Sequence, residues 1–204
     1  MTDTDSDFDV IVVGGGPSGA TAAHEIALAG HSVLLLERSF RIKPCGGAIP
    51  PCILSEFDIP RSLLKAEIQS ARMISPKAQK VDMPIEGTFV GMVDRDEFDP
   101  WLRLRAQRAG TDVELATFKK VEYIDKTTLR ETYVSKDNDT ETRTATARCV
   151  IGADGARSQV AKQGIPKHAD VPWVLAYHEI VEAPEVATND YNPERCEVWY
   201  QGDL

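Results

Sequence analysis

The sequence predicts an α/β fold, with a Rossmann-like nucleotide-binding domain and a second domain built on a β-sheet. Three observations carry that reading. Phe8 to Glu37 runs apolar stretch, glycine-rich turn, helical pattern, apolar stretch and acid, the layout of a dinucleotide-binding β-α-β unit. A second helical pattern, Asp94 to Gly110, leads into another apolar run at Asp112 to Leu115. Farther on, the apolar run Arg148 to Ala153 closes on the turn sequence GADG, and amphipathic strand patterns follow it.

Each part of the first unit has its own physical reason. Val10 to Val13 are β-branched and unbroken by polar residues, as in a strand covered on both faces. Gly14 permits the tight turn, Gly16 lets backbone approach a pyrophosphate, and Gly19 lets the helix pack near the strand. Pro17 suits the first helical turn, where a missing N–H is no loss. Beside Ser18, the helix N-terminus offers free N–H groups and partial positive charge to phosphate. Ala20 to Ala29 is alanine-rich and Gly30 suits its cap. Val33 to Leu36 is the second buried strand, and Glu37 ends it. A carboxylate there accepts hydrogen bonds from ribose hydroxyls and repels a 2′-phosphate, which selects FAD or NAD over NADP.

Arg38 to Pro51 is rich in glycine, proline and basic residues, so it reads as a loop. Cys52 to Phe57 reads as a helical turn or two; Glu67 to Ser75, Gln79 to Met83 and Thr88 to Val93 read as strands. In the second helix Asp94 or Asp96 can cap, Phe98, Trp101, Leu102, Ala106 and Ala109 share a face, and Arg103, Arg105 and Arg108 form the solvated side. Phe118 to Ile124, Leu129 to Val134 and Thr140 to Ala147 read as a strand meander, with Cys149 in the buried strand that follows. Ser158 to Gln163 is a short helix; Trp173 to Val181 and Arg195 to Tyr200 are two further strands. The boundaries are then a disordered lead-in at 1–7, the nucleotide domain at 8–65 and 88–165 with its meander at 117–147, and a second sheet at 66–87 and 166–204.

Composition narrows the function classes. A net charge of -9 argues against nucleic acid as a partner. No apolar run approaches the roughly 18 residues of a spanning helix, and the acidic start MTDTDSD is not a signal peptide. Cys45, Cys52, Cys149 and Cys196 form no CxxC pair and no ligand spacing with the four histidines. That pattern fits a reducing, cytoplasmic compartment without a structural disulfide or metal site. Asn138-Asp139-Thr140 matches a glycosylation sequon, which carries no meaning in the cytoplasm.

GGGPSG, VDRDEFDPWL and IGADGARSQVA together resemble the flavoprotein monooxygenase and reductase superfamily related to para-hydroxybenzoate hydroxylase. KPCGGAIPPCILSEFDIP (Lys43 to Pro60) and VGMVDRDEFDPWLRLRA sharpen this to the geranylgeranyl reductases, and within them to the (bacterio)chlorophyll branch. The resemblance implies a Rossmann-like FAD-binding domain with a β-sheet substrate domain, incomplete in this chain. It implies NADPH as co-substrate and reduction of isolated geranylgeranyl C=C bonds to phytyl on a pigment or lipid. An unactivated alkene needs a proton donor beside the hydride donor, and Cys45 is placed for that role or for packing a tight loop. By the same resemblance Arg38, Gly46, Gly47, Arg95, Asp154 and Gly155 join the fingerprint glycines and Glu37 in holding FAD. A long prenyl substrate implies peripheral contact with a membrane, here the photosynthetic one.

The resemblance has a gap. The family's second Gly-Asp motif has no match in context, since Gly202-Asp203 ends a strand pattern with no helix after it. The sequence therefore reads as the N-terminal portion of a longer protein. Alternatives kept open are an archaeal-type lipid reductase, a flavin monooxygenase or halogenase on the same scaffold, and an inactive FAD-binding fragment.

Overall fold

The computed structural model describes residues 6–43, 45–136, 141–168, 171–172, 174–179, 181–184 and 191–201. By their contacts these fall into two compact units, Met1–Arg41 with Asp99–Leu175, and Ile42–Phe98 with Ala176–Leu204. Residues 42–65 and 88–98, expected with the nucleotide domain, thus cluster in the second unit.

The first unit is a mixed sheet closed into a ring. β1 (Phe8–Val13), β2 (Val33–Glu37), β8 (Asp112–Tyr123), β9 (Leu129–Ser135) and β10 (Thr142–Gly152) pair in the order β1-β10-β9-β8-β2. β1 runs parallel to β2 and to β10, and Leu34 to Glu37 run parallel to Asp112 to Leu115. Beyond Leu115, β8 turns to pair antiparallel with β9, which pairs antiparallel with Thr142 to Ala147 of β10. Two long strands therefore belong to the parallel sheet at one end and to the meander at the other. The sequence reading split each of them in two. No turn residue interrupts either run, so the ladder simply changes partner.

Inside the ring, Ile11, Val13, Leu34, Leu36, Ala116, Phe118, Tyr133, Ala145 and Ala147 form the core, with Val150 and Val160 against it. α1 (Pro17–Leu28) packs on β1 and β2 through its buried Gly19, Ala20, Ala23 and Ala27. It starts three residues before the alanine run, because Pro17 and Ser18 are already helical. Gly30 follows it with a φ of 88°, the left-handed conformation a helix stop favours. α4 (Gln159–Gly164) takes Ser158 as its cap, whose hydroxyl accepts from the Ala161 N–H at 2.9 Å.

Three expectations are corrected here. Cys149 is exposed rather than core: Arg148 and Cys149 are exposed in succession, so the inward phase set by Ala145 and Ala147 breaks there and Val150 meets the core instead. Asp7, expected in a disordered lead-in, is tied to Thr146 by its N–H at 3.0 Å and its carboxylate at 2.8 Å. Among the described residues, 174–179 pair with no strand, and Val174, Leu175 and Tyr177 are exposed. Alternating apolar residues there meet no ladder to complete. Trp173, the sequon and Gly202-Asp203 lie outside the described residues.

The second unit holds two three-stranded sheets. In one, β7 (Val90–Val93) lies between β3 (Ala48–Ile49) and β4 (Leu64–Ile68), both antiparallel to it. In the other, β5 (Ser70–Ile74) lies between β6 (Lys80–Pro84), antiparallel, and β11 (Arg195–Trp199), parallel. Glu67 to Ser75, read as one strand, breaks at Gln69, where the chain passes from one sheet to the other. Arg72 ties the second sheet across its strands, donating to Asp82 at 2.6 Å and lying 3.7 Å from Glu197. α2 (Pro51–Glu56) and the first residues of α3 (Arg95–Arg108) complete the unit.

Candidate functional site

The site in the first unit is built at the carboxyl end of β1. The ladder continues past the strand: the Gly14 N–H donates to Leu36 O at 2.7 Å, and the Ala153 N–H donates to Val13 O at 2.8 Å. The turns after β1, β2 and β10 are thereby held side by side. Gly14 has a φ of 106°, and a Cβ there would stand 2.7 Å from the Ala153 carbonyl carbon. A Cβ on Gly19 would overlap the Gly14 carbonyl oxygen. Both positions need glycine on steric grounds alone. Gly16 precedes α1 in extended backbone and supplies no side-chain cap. With no acidic residue in the first turn either, the helix end offers its N–H groups and positive pole to an anion.

Glu37 is buried, and its carboxylate reaches back to the glycine turn. It accepts from the Gly15 N–H at 2.6 Å and from the Ser39 N–H at 3.0 Å. Arg103 of α3 closes the same corner, donating from Nη1 to Gly15 O at 3.0 Å and stacking on Phe40 at 4.8 Å. A 520 Å³ groove beside it is lined by Phe40, Arg103, Leu104, Gln107 and Val113 to Leu115 among others.

The GADG turn follows β10. Asp154 Oδ2 accepts from the N–H groups of Gln159 at 2.5 Å and Val160 at 3.4 Å, so the aspartate covers the start of α4. Its Oδ1 is buried and has no hydrogen-bond partner among the described residues. Gly152 is packed so closely that a Cβ would stand 2.9 Å from the Val160 Cβ. Gly155 has a φ of 85° and open space where its side chain would be.

The close-packed glycines and the uncapped helix fit a nucleotide diphosphate on steric and electrostatic grounds. A family model described as pyridine nucleotide-disulphide oxidoreductase matches residues 8–190. The chain belongs to that family.

The chain is 51% identical over 97% of its length to a geranylgeranyl diphosphate reductase of Rhodobacter capsulatus, covering 49% of that protein. It is 33% identical over 93% of its length to digeranylgeranylglycerophospholipid reductase 1 of Methanopyrus kandleri, covering 52%. Among solved structures, a geranylgeranyl bacteriochlorophyll reductase-like protein of Thermoplasma acidophilum superposes with a TM-score of 0.73 at 26% identity. That match covers 96% of this chain and 50% of the other. The chain thus spans about half the length of the relatives it matches.

Of the residues singled out in the sequence, Gly14, Gly16, Pro17, Ser18, Gly19, Glu37, Arg38, Asp154 and Gly155 lie in the first unit of this family member. Ser18 and Arg38 are exposed, and Pro17 is half-buried. Cys45, Gly46, Gly47 and Arg95 lie in the second unit. There Cys45 is exposed and its Sγ accepts from the Gly47 N–H at 3.5 Å. Gly47 has a φ of 74° and crowds the Val93 carbonyl, so its glycine is required by packing; Gly46 faces open space. Arg95 is half-buried at the start of α3.

The sequence reading missed two contributors. Gly15 lies between fingerprint positions, yet its N–H and carbonyl are both engaged. Arg103 and Arg105 were expected in solvent. Arg103 instead bonds Gly15, and Arg105 lies 5.0 Å over the Trp101 ring with its side chain 15% exposed. Guanidinium stems cover apolar surface as readily as they reach water, which a simple helical wheel does not register.

Among the described residues no helix is long and apolar enough to cross a membrane.

Proposed function

We propose that this chain is the nucleotide-holding part of a flavin-dependent reductase that saturates the C=C bonds of a geranylgeranyl chain. The observation that carries this reading is the 51% identity, over nearly the whole chain, to a geranylgeranyl diphosphate reductase. The lower identity to the archaeal lipid enzyme favours the pigment branch, with (bacterio)chlorophyll as the carrier of the chain.

FAD is the cofactor of this reading and NADPH its reductant; the bound flavin would supply hydride to the alkene. The residues then have separate duties. The turn from Gly14 to Gly19 and the start of α1 hold the phosphates. Glu37, at the end of β2, takes the ribose hydroxyls. Asp154 and Gly155 bring a second stretch of backbone to the phosphates. Arg38, Gly46, Gly47 and Arg95 keep the contacts that the sequence resemblance assigns them. Cys45 holds the proton that the alkene needs as charge develops on carbon. Contact with the photosynthetic membrane is peripheral.

The test is an assay of the enzyme carrying this chain with FAD, NADPH and a geranylgeranylated pigment or lipid. Mass increases of two per reduced bond on the pigment are the expected result. Saturation of the lipid alone moves the assignment to the lipid branch, and saturation of neither removes it.

A further inference from the structure

We propose that the turn between β8 and β9 and the end of α4 form one docking face for an anionic bilayer, with lysines set around Tyr123, Ile124 and Ile165. Gln163 of α4 places the two segments side by side. Its side-chain oxygen accepts from the Val121 N–H at 3.0 Å, and its side-chain N–H donates to Lys119 O at 3.1 Å. α4 is thus fastened to β8 two residues from Tyr123. Segments 119–130 and 159–168 hold six cations, Lys119, Lys120, Lys126, Arg130, Lys162 and Lys167, against two acids, Glu122 and Asp125. All six cations are exposed. The chain as a whole carries a net charge of -9, so this face opposes the sign of the molecule.

Both acids are already engaged. Glu122 lies 2.5 Å from Lys120 and pairs with Arg130 across the two strands. Asp125 Oδ1 accepts from the Thr127 N–H at 2.8 Å, the Thr127 hydroxyl at 2.9 Å and the Thr128 N–H at 2.9 Å, which fixes the turn. Among the described residues Lys119, Lys126, Lys162 and Lys167 have no acid within ion-pair distance. Their charge is left for a partner.

Charge alone would suit any polyanion; the apolar side chains between the cations decide for a bilayer. Tyr123 is 77% exposed, Ile124 44% and Ile165 59%. Single exposed apolar residues are ordinary on a protein surface, but these three stand among unpaired lysines. Tyrosine rings settle at the headgroup level, while lysines reach anionic headgroups on flexible apolar stems. α4 follows the Asp154-Gly155 turn and ends at this face, about 9 Å along its axis. Docking here therefore holds the flavin site of the proposed function close to the surface that carries a prenyl substrate.

The face is read from charge and exposure; its use in meeting the substrate rests on the proposed function. The test is co-sedimentation of the enzyme carrying this chain with phosphatidylcholine vesicles, with and without phosphatidylglycerol. Binding to the phosphatidylglycerol vesicles alone is expected. It should weaken by about tenfold or more between about 0.1 M and 1 M salt, as the screening length falls from about 10 Å to about 3 Å. Lys119→Ala combined with Lys126→Ala should weaken binding about 25-fold, each cation near the surface contributing about fivefold. Lys77→Ala combined with Lys80→Ala changes net charge equally from exposed positions in the second unit, and should leave binding unchanged. Tyr123→Ser combined with Ile124→Ser should weaken binding to vesicles. Vesicle binding that is absent, insensitive to salt or lost equally in both lysine pairs overturns the proposal. Binding to heparin and not to vesicles assigns the face to a soluble polyanion and overturns it as well. Reduction of a detergent-dispersed prenyl substrate without vesicle binding keeps the proposed function and removes the face. Vesicle binding with reduction of no prenyl substrate strikes the proposed function and leaves the lysine pairs to decide the face.

Discussion

The Gly15 N–H donates to Glu37 Oε2 at 2.6 Å, inside the core of the first unit. The acid at the end of β2 therefore organises the glycine turn, in addition to the ribose role its position suggests. Replacing Glu37 by alanine leaves the Gly15 and Ser39 N–H groups without their acceptor. A buried donor left unsatisfied costs about 1–3 kcal/mol. Glu37→Ala should lower unfolding free energy in urea by about that amount, and Glu37→Gln, which keeps one acceptor oxygen, by less. Equal stability of all three chains would show that the contact carries nothing.

Two glycines on helices separate packing from composition. At Gly19 an added methyl meets the Gly14 carbonyl oxygen, which belongs to backbone and cannot swing away. At Gly164, which ends α4, nothing lies within 4 Å of the added carbon. Gly19→Ala should cost about 1–3 kcal/mol or more as overpacking does, while Gly164→Ala should stay within about 0.5 kcal/mol of the native chain. Thermal unfolding of the two variants side by side reads the difference.

That contrast also shows what was legible beforehand. The β-α-β unit was readable because steric need at Gly14 and Gly19 writes itself as glycine at a fixed spacing. The phase of β10 was not readable: Cys149 and Val150 are both apolar neighbours, and only the pairing with β1 decides which of them faces inward. Glu131 left a faint trace, being in step with Leu129 and Tyr133 on an alternating strand. A glutamate in that phase reads as a solvated edge residue until the ring is seen to close over it. The long strands β8 and β10 were cut in two because a change of pairing partner leaves no mark in composition.

Leu35 is fully buried at the centre of β2, with α1 packed on that strand. Truncation to alanine removes its packing on a closed element that cannot collapse inward. The expected loss is about 2–5 kcal/mol, measured by denaturant unfolding with an unchanged m-value. A loss below about 1 kcal/mol would mean that this part of the sheet yields to fill the space.

Glu131 also gives stability a pH dependence whose sign can be fixed. Its folded value is raised, from 4.5 to about 8, so the folded chain holds one proton that the unfolded chain releases. The stabilisation is complete below about 4.5 and is lost as pH rises toward 8, at up to about 1.4 kcal/mol per pH unit. Above 8 the curve levels. Comparison of native and Glu131→Gln unfolding free energies from pH 5 to 9 isolates this contribution, since glutamine does not titrate. Parallel curves for the two chains would assign the dependence elsewhere.

Cys45 and Cys149 are both exposed thiols, but only Cys45 stands in a loop with a proposed chemical duty. Its Sγ is held by the Gly47 N–H, whereas Cys149 lines a groove with Asp9, His31 and Arg148 on the first unit. A positioned proton donor contributes about 10²–10⁴-fold to a rate. In the enzyme carrying this chain, Cys45→Ala should therefore lose prenyl reduction by a factor in that range while flavin reduction by NADPH continues. Cys45→Ser should recover part of the loss, because a hydroxyl can keep the loop contact and still donate. Cys149→Ala should match the native rate in both half-reactions. If Cys45→Ala reduces the prenyl chain at the native rate, the residue packs the loop and the proton comes from another group.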